Sequence, residues 1–276
     1  IMKQLSEAYL KIRNTARYML GNLSGFDPDG DSLPYEQLQD LDKWALSRLR
    51  ELTVAVQGYY NKYEFHGVYR SIYNFCVVDL SNFYFDIIKD RLYCADQAAR
   101  RSARTALYQI LDSMTRLVAP ILAFTSEEIW CAMPHRAADN AESVLLNDMP
   151  KAEDLPALTE AESARWAALT AAREDVNKAL EAARSEKIIG KSLEAAVVIG
   201  GEHAKALAGE SESFLAEIFI ASKVTLDPSA EGIKVAAAQG EKCERCWMVS
   251  EDVGRDRDHP TLCPRCASVV SRLPQF

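Results

Sequence analysis

The sequence predicts a mainly α-helical chain: an antiparallel helix bundle, then a small α/β junction unit, then a compact four-cysteine module. Three observations predict this. Apolar residues recur at helical spacing through the first half of the chain. The period then shortens to that of strands in three short runs between residues 193 and 238. Four of the seven cysteines fall close together near the end, as two CxxC pairs. A length of 276 residues suits two or three domains. The boundaries are drawn at 1–156 for the bundle, 157–240 for the junction unit and 241–276 for the cysteine tail.

Each element has a local reason. Over 3–23, Leu5, Tyr9, Ile12, Ala16, Met19 and Leu23 share one helical face. SGFDPDGDSLP (24–34) is loop by its Gly, Pro, Asp and Ser content. A second helix, 36–64, turns Leu41, Ala45, Leu49, Leu52, Val56 and Tyr63 inward. A third, 66–91, is expected to break or bend near Asp79-Leu80-Ser81. A fourth, 96–119, buries Leu107, Ile110, Met114 and Leu117 until Pro120 interrupts it. Thr125 and Glu128 form a capping box for a short helix through Met133. Residues 134–158, with Pro134, Pro150 and Pro156, are loop. Thr159 and Glu162 cap a long helix over 160–186. Strands follow at 193–200, 221–226 and 233–238, the first two separated by one or two short helices.

The bulk numbers exclude some classes. A 48% apolar content supplies packed cores, and no apolar run approaches the roughly 18 residues of a transmembrane helix. The opening segment is amphipathic and is not a signal peptide; with no cap before its helix, it reads as cut from a longer chain. An odd number of cysteines, with Cys76, Cys94 and Cys131 scattered through helical sequence, fits a reducing cytosol better than a disulfide framework. The net charge is −8, yet residues 241–276 carry six basic and six acidic groups. A nucleic-acid contact would therefore be local and shape-selected, not a general basic field.

Cys243-x2-Cys246-x16-Cys263-x2-Cys266 has the spacing of a tetrahedral four-cysteine zinc site. Each CxxC turn brings two sulfurs to one side, and the insert WMVSEDVGRDRDHPTL is too short and polar to form a core of its own. One structural Zn2+ would supply the folding energy, on the order of 10–16 kcal/mol in small zinc modules. His259 is an alternative fourth ligand, and a redox CxxC or two disulfides is the bland reading. Trp247 follows the second ligand directly. It is either the mini-core of the knuckle or a stacking platform for an unpaired base, flanked by Arg245 and Lys242. Arg13, Asn14 and Arg17 lie on a flank of the first helix, where a solvated face is the ordinary alternative to RNA contact. Arg100, Arg101 and Arg104, with Lys89 and Arg91 nearby in sequence, read as a solvated face as well. KIIGKS (187–192) is not a phosphate loop: position 185 is Ser185 where the motif needs glycine, and a helix end leads in where a strand is needed. No GxSxG, HExxH or paired-carboxylate constellation occurs, so no catalytic residue is assigned.

RNTARYMLGNLSGFDP (13–28), DLSNFYFDIIKDRLY (79–93) and LAFTSEEIWCAMPH (122–135) resemble the C-terminal part of the bacterial isoleucyl-tRNA synthetase family. So does the order of parts: bundle, junction unit with SEKIIGKSLEA (185–195), then CxxCW…CxxC. The bundle alone is shared with valyl, leucyl and methionyl relatives; RNTARYMLGNL with the terminal zinc module makes the likeness isoleucyl. The resemblance implies tRNA recognition, with the bundle receiving the anticodon arm of an isoleucine tRNA and the zinc tail closing on the anticodon. It implies RNA-facing roles for Trp247, Arg245, Arg13, Asn14 and Arg17. It also implies catalytic and editing domains preceding Ile1, with HIGH and KMSKS-type motifs that these residues do not contain, in a cytoplasmic protein expected to be monomeric. Two rivals are a zinc-pinned protein-interaction domain and a zinc module like that of formamidopyrimidine-type DNA glycosylases. The latter would need a catalytic N-terminal proline and a helix–two-turns–helix module, which the long bundle does not suit.

Overall fold

The computed structural model describes residues 2–273, and side chains from Ser6 onward; the inward place expected for Leu5 lies outside the described side chains. The chain divides into two compact units, Ile1–Leu158 and Thr159–Phe276.

The first unit is the helix bundle. Helix α1 (Met2–Asn22) buries Ile12, Ala16 and Met19, as the 3.6-residue period requires. Helix α2 (Asp40–Asn61) buries Leu41, Ala45, Leu49, Leu52 and Val56. It is shorter than the 36–64 expected. Leu38 and Gln39 are extended because the backbone N–H of Gln39 donates to Ser102 Oγ (2.9 Å), leaving only a 3₁₀ turn at Tyr35–Gln37 ahead of it. Its far end stops in a left-handed turn at Tyr63 (φ 58°), which throws that side chain outward to 81% exposure instead of inward.

The third helical segment does not break. Helix α3 (Phe65–Asn74) runs into a π-helical stretch, Phe75–Tyr84, which continues as α4 (Phe85–Tyr93). The wider winding is supported where a break was expected: Ser81 Oγ donates to the Cys76 carbonyl (2.7 Å), and Arg48 Nε donates to Asp79 Oδ1 (2.9 Å). Helix α5 (Gln97–Val118) is capped by Asp96, whose carboxylate accepts from the Ala99 N–H (2.9 Å). It runs through the centre, with Leu107, Ile110, Leu111, Met114 and Leu117 fully buried. Each such side chain contributes about 1.5–3 kcal/mol. Helix α6 (Ala123–Ala132) begins earlier than the Thr125–Glu128 box would allow. The Ile121 and Leu122 N–H groups both donate to the Val118 carbonyl, so the turn after α5 leads straight into α6. Thr125 then sits inside the helix, its hydroxyl 3.1 Å from that of Tyr9, while Glu128 accepts from Arg13.

One buried polar network ties this unit together. Asp42 of α2 accepts from Tyr84 Oη (2.6 Å), Ser102 Oγ (2.5 Å) and Arg91 Nη1 (3.1 Å). Arg91 is thus a core residue and not part of a basic surface: its side chain is 4% exposed and that of Asp42 is 0%. Three satisfied partners offset the cost of burying both charges.

The second unit opens with α7 (Glu160–Ser185), closed at its start by the Thr159–Glu162 capping box. Strand β1 (Ala195–Gly200) pairs in parallel with β2 (Lys223–Asp227) and antiparallel with β3 (Ile233–Ala237), giving the order β2–β1–β3. The parallel crossover carries α8 (Gly201–Ala206) and α9 (Glu212–Phe219). Trp166, Leu169, Val176 and Leu180 of α7 and Leu215, Ile218 and Phe219 of α9 are buried in this unit's core. The tail then adds a two-residue ribbon, β4 (Glu241–Lys242) with β5 (Val249–Ser250), and a short helix α10 (Pro264–Val270). Gly240 (φ 108°) leads into the ribbon, where a Cβ would meet the Ser250 carbonyl carbon at 2.2 Å. No helix among the described residues is long and apolar enough to cross a membrane.

Candidate metal centre and neighbouring surface

Two short turns converge in the tail. The first is a knuckle: the Cys243 N–H donates to the Met248 carbonyl (2.9 Å), and the Trp247 N–H returns to the Cys243 carbonyl (2.9 Å). The second ends in α10, with Cys263 as its N-cap residue and Pro264 at the first helical position. The Glu244 N–H donates to the Thr261 carbonyl (3.2 Å) and brings the two turns face to face.

All four cysteines are buried, and their Sγ atoms lie within 4.8 Å of one another. Cys246 Sγ and Cys263 Sγ are 3.8 Å apart. Two thiolates on one tetrahedral zinc, each about 2.3 Å from the metal, would be separated by about 3.8 Å. The electrostatics point the same way. Burial opposes ionisation of Cys243, but the backbone N–H groups of Cys246, Cys263 and Arg245 outweigh it and bring that thiol down to about 6. Burial, with neighbouring sulfurs as added like charges, holds Cys246 high and Cys266 at about 11. Four crowded sulfurs therefore cannot all ionise on their own, whereas a divalent cation at their centre stabilises all four thiolates. The donor set fits one closed structural Zn2+ and leaves no open position for catalysis. His259 stands apart from the cluster, its Nε2 3.3 Å from Ser271 Oγ.

Trp247 projects from this knuckle instead of filling it. Its backbone is left-handed (φ 66°) and the residue is 53% exposed. Two ammonium groups approach the ring: Lys191 Nζ lies 5.1 Å from the centroid and Lys242 Nζ 5.6 Å. Lys242 was legible as a neighbour in sequence; Lys191 was not. The tertiary fold brings Lys191 in. Glu194 accepts the Gly190 and Lys191 N–H groups (2.8 and 3.2 Å), which holds its carboxyl below the usual range and closes the 187–194 turn. Ser222 Oγ donates to the Leu193 carbonyl and accepts the Val249 N–H (2.7 Å), tying that turn to the cysteine module. An open groove of about 650 Å3 runs alongside, lined by Arg184, Lys187, Gly190 and Lys242 among others. Arg245 is half-buried.

In the other unit, Arg13, Asn14 and Arg17 line one flank of α1. Arg13 is half-exposed and bound to Glu128 (3.2 Å). Asn14 and Arg17 are exposed, and their side chains make no hydrogen bond or ion pair among the described residues.

Comparison with known proteins bears on both units. Residues 42–199 match a family described as the anticodon-binding domain of tRNA ligase. Residues 240–269 match one described as a zinc finger found in FPG and IleRS. The chain is 49% identical to an isoleucine–tRNA ligase of Caldanaerobacter subterraneus, with 98% of this chain and 31% of the relative covered. Identity is 47% to the isoleucine–tRNA ligase of Syntrophotalea carbinolica, covering 98% and 30%, and 45% to that of Geobacter sulfurreducens, covering 98% and 30%. The chain thus spans a little under a third of the length of these curated relatives.

Proposed function

The chain belongs to the anticodon-binding domain family of tRNA ligases, and from that premise we propose that it is the tRNA-recognition part of an isoleucine–tRNA ligase. The zinc-finger match alone would suit a DNA glycosylase equally, since its description names both; the bundle match separates the two readings. Amino-acid activation, transfer to tRNA and editing would belong to the two-thirds of such an enzyme that this chain does not span. The enzyme would act in the cytoplasm as a monomer.

The observation that carries the reading is Trp247. A large aromatic ring left half-exposed beside Lys191 and Lys242 has the composition of a platform for an unpaired base. Cys243, Cys246, Cys263 and Cys266 would hold the zinc, which supplies no chemistry to the reaction and makes the knuckle rigid. The ring then has little freedom to lose on binding. The two ammoniums, and Arg245 two residues before the ring in sequence, would meet the phosphates flanking the stacked base. On the bundle, the unengaged side chains of Asn14 and Arg17, with Arg13, would contact the anticodon arm.

The test is a titration of this chain with an isoleucine tRNA and a non-cognate tRNA at two salt concentrations. Tighter binding of the isoleucine tRNA at both, weakening as salt rises, is expected. Equal binding of the two tRNAs at both concentrations, or none, would refute the proposal.

A further inference from the structure

The arginines that open α5 have no part in the reading above. Gln97, Arg100, Arg101 and Arg104 line a cavity of about 160 Å3 with Phe26 and Asp31, room for about five waters at roughly 30 Å3 each. The loop before α2 aims two of the guanidinium groups. Arg101 donates through Nε to the Asp31 carbonyl (2.5 Å) and through Nη2 to the Gly30 carbonyl (2.8 Å). Arg104 donates through Nη2 to the Ser24 carbonyl (2.6 Å) and lies 5.2 Å from the centroid of the Phe26 ring.

These partners are neutral. Among the described residues no carboxylate pairs with any of the three arginines, and Arg104 Nε is buried with no partner. The one acidic group of the lining, Asp31, accepts the Asp27 N–H (3.0 Å) and attracts Arg104 without a direct ion pair. Burial and then the charge of Arg100 lower the proton affinity of Arg104, and the weaker opposing pull of Asp31 does not cancel them. Anchoring the loop accounts for Arg101 and Arg104. It does not account for Arg100, whose side chain makes no hydrogen bond or ion pair among the described residues. Three guanidinium groups share one recess with a single carboxylate, and that excess of positive charge calls for an anion. Their planar, multi-donor heads match the oxygens of a phosphate, and the Gln97 amide adds a further donor.

We propose that Gln97, Arg100, Arg101 and Arg104 form a phosphate-binding pocket, and that its occupant is a backbone phosphate of the bound RNA. The second clause rests on the proposed anticodon-arm function; the first does not.

Arg100→Ala tests it without disturbing the fold, because that side chain holds nothing in place. In the intact chain it should leave the melting temperature unchanged in chloride buffer. It should weaken binding of an anticodon stem-loop RNA about tenfold to a hundredfold, as for loss of one charge-assisted contact. It should also shrink the slope of log affinity against log salt by about 0.7–0.9, as for loss of one phosphate contact. Inorganic phosphate, compared with chloride at equal ionic strength, should raise the melting temperature of the wild type and not of Arg100→Ala. Arg100→Lys should keep most of the salt slope while losing part of the affinity, since it keeps the charge and loses the fork. Unchanged RNA affinity and slope in Arg100→Ala, with no Arg100-dependent phosphate effect, overturns the proposal. If phosphate protects through Arg100 while RNA binding is indifferent to it, the pocket serves a free phosphate and the backbone assignment is overturned. Hairpin binding that depends on Trp247 but not on Arg100 defeats the backbone assignment alone. A wild type that binds no RNA, yet is protected by phosphate through Arg100, defeats the tRNA reading and supports the pocket.

Discussion

Replacing Trp247 by alanine separates the two roles open to that residue. Trp247 is 53% exposed, so truncation removes about half or less of the contacts the residue could make. Taking about 100 Å2 of lost buried area at about 25 cal/mol per Å2 gives roughly 2.5 kcal/mol as an upper bound on the folding cost. The zinc site supplies on the order of 10–16 kcal/mol, so metal binding dominates and the tail should stay folded. The left-handed backbone at φ 66° strains alanine as it strains tryptophan, so the substitution leaves that cost unaltered. What is lost is the platform: base–aromatic stacking is worth roughly 1–3 kcal/mol. Binding of an anticodon stem-loop, followed by fluorescence anisotropy, should therefore weaken about tenfold to a hundredfold, with zinc content unchanged by metal analysis. Trp247→Phe should keep much of the affinity, and Arg245→Ala should mainly flatten the salt dependence. An alanine variant that retains zinc and binds within about twofold of wild type would refute the platform; one that loses zinc while Trp247→Phe keeps it would make the ring a mini-core after all.

Protein purified without chelator should carry about one zinc per chain, as for one closed four-ligand site, and Cys263→Ser or chelation should abolish it. Because the bundle has its own core, the far-UV helical signal should largely survive that loss. Arg91→Met should destabilise the bundle by about 3–5 kcal/mol in denaturant unfolding, since it leaves Asp42 buried without its counter-charge. Lys187→Gly should stabilise the second unit by about 1 kcal/mol in the same assay: Lys187 is exposed at φ 61° just past the end of α7, a position that favours glycine. Isoleucine-dependent ATP–pyrophosphate exchange by this chain should remain at background; activity above that, free of contaminating enzyme, would place a catalytic site within these residues.

What the sequence determined by itself is whatever depends on near neighbours. The inward faces of α1, α2 and α5 follow from a 3.6-residue period, and the Thr159–Glu162 box from a spacing of three. The convergence of Cys243, Cys246, Cys263 and Cys266 follows from two fixed turns joined by a short insert. Even this local logic failed where distant contacts competed. Gln39 left the helix for Ser102, and α6 started before its apparent cap because the turn after α5 fed directly into it. The run around Leu80 stayed helical by widening its turns, held by Ser81 and by Arg48 from another helix. The surface around the metal was legible only in part. Tertiary structure alone brought Lys191 to the ring of Trp247, turned Arg91 into the core, and set Arg100 and Arg104 around one recess with Phe26 and Asp31. Periodicity and spacing report which way a side chain faces on its own element. They carry no term for the residue it meets on another, because that partner is chosen by packing across the whole unit.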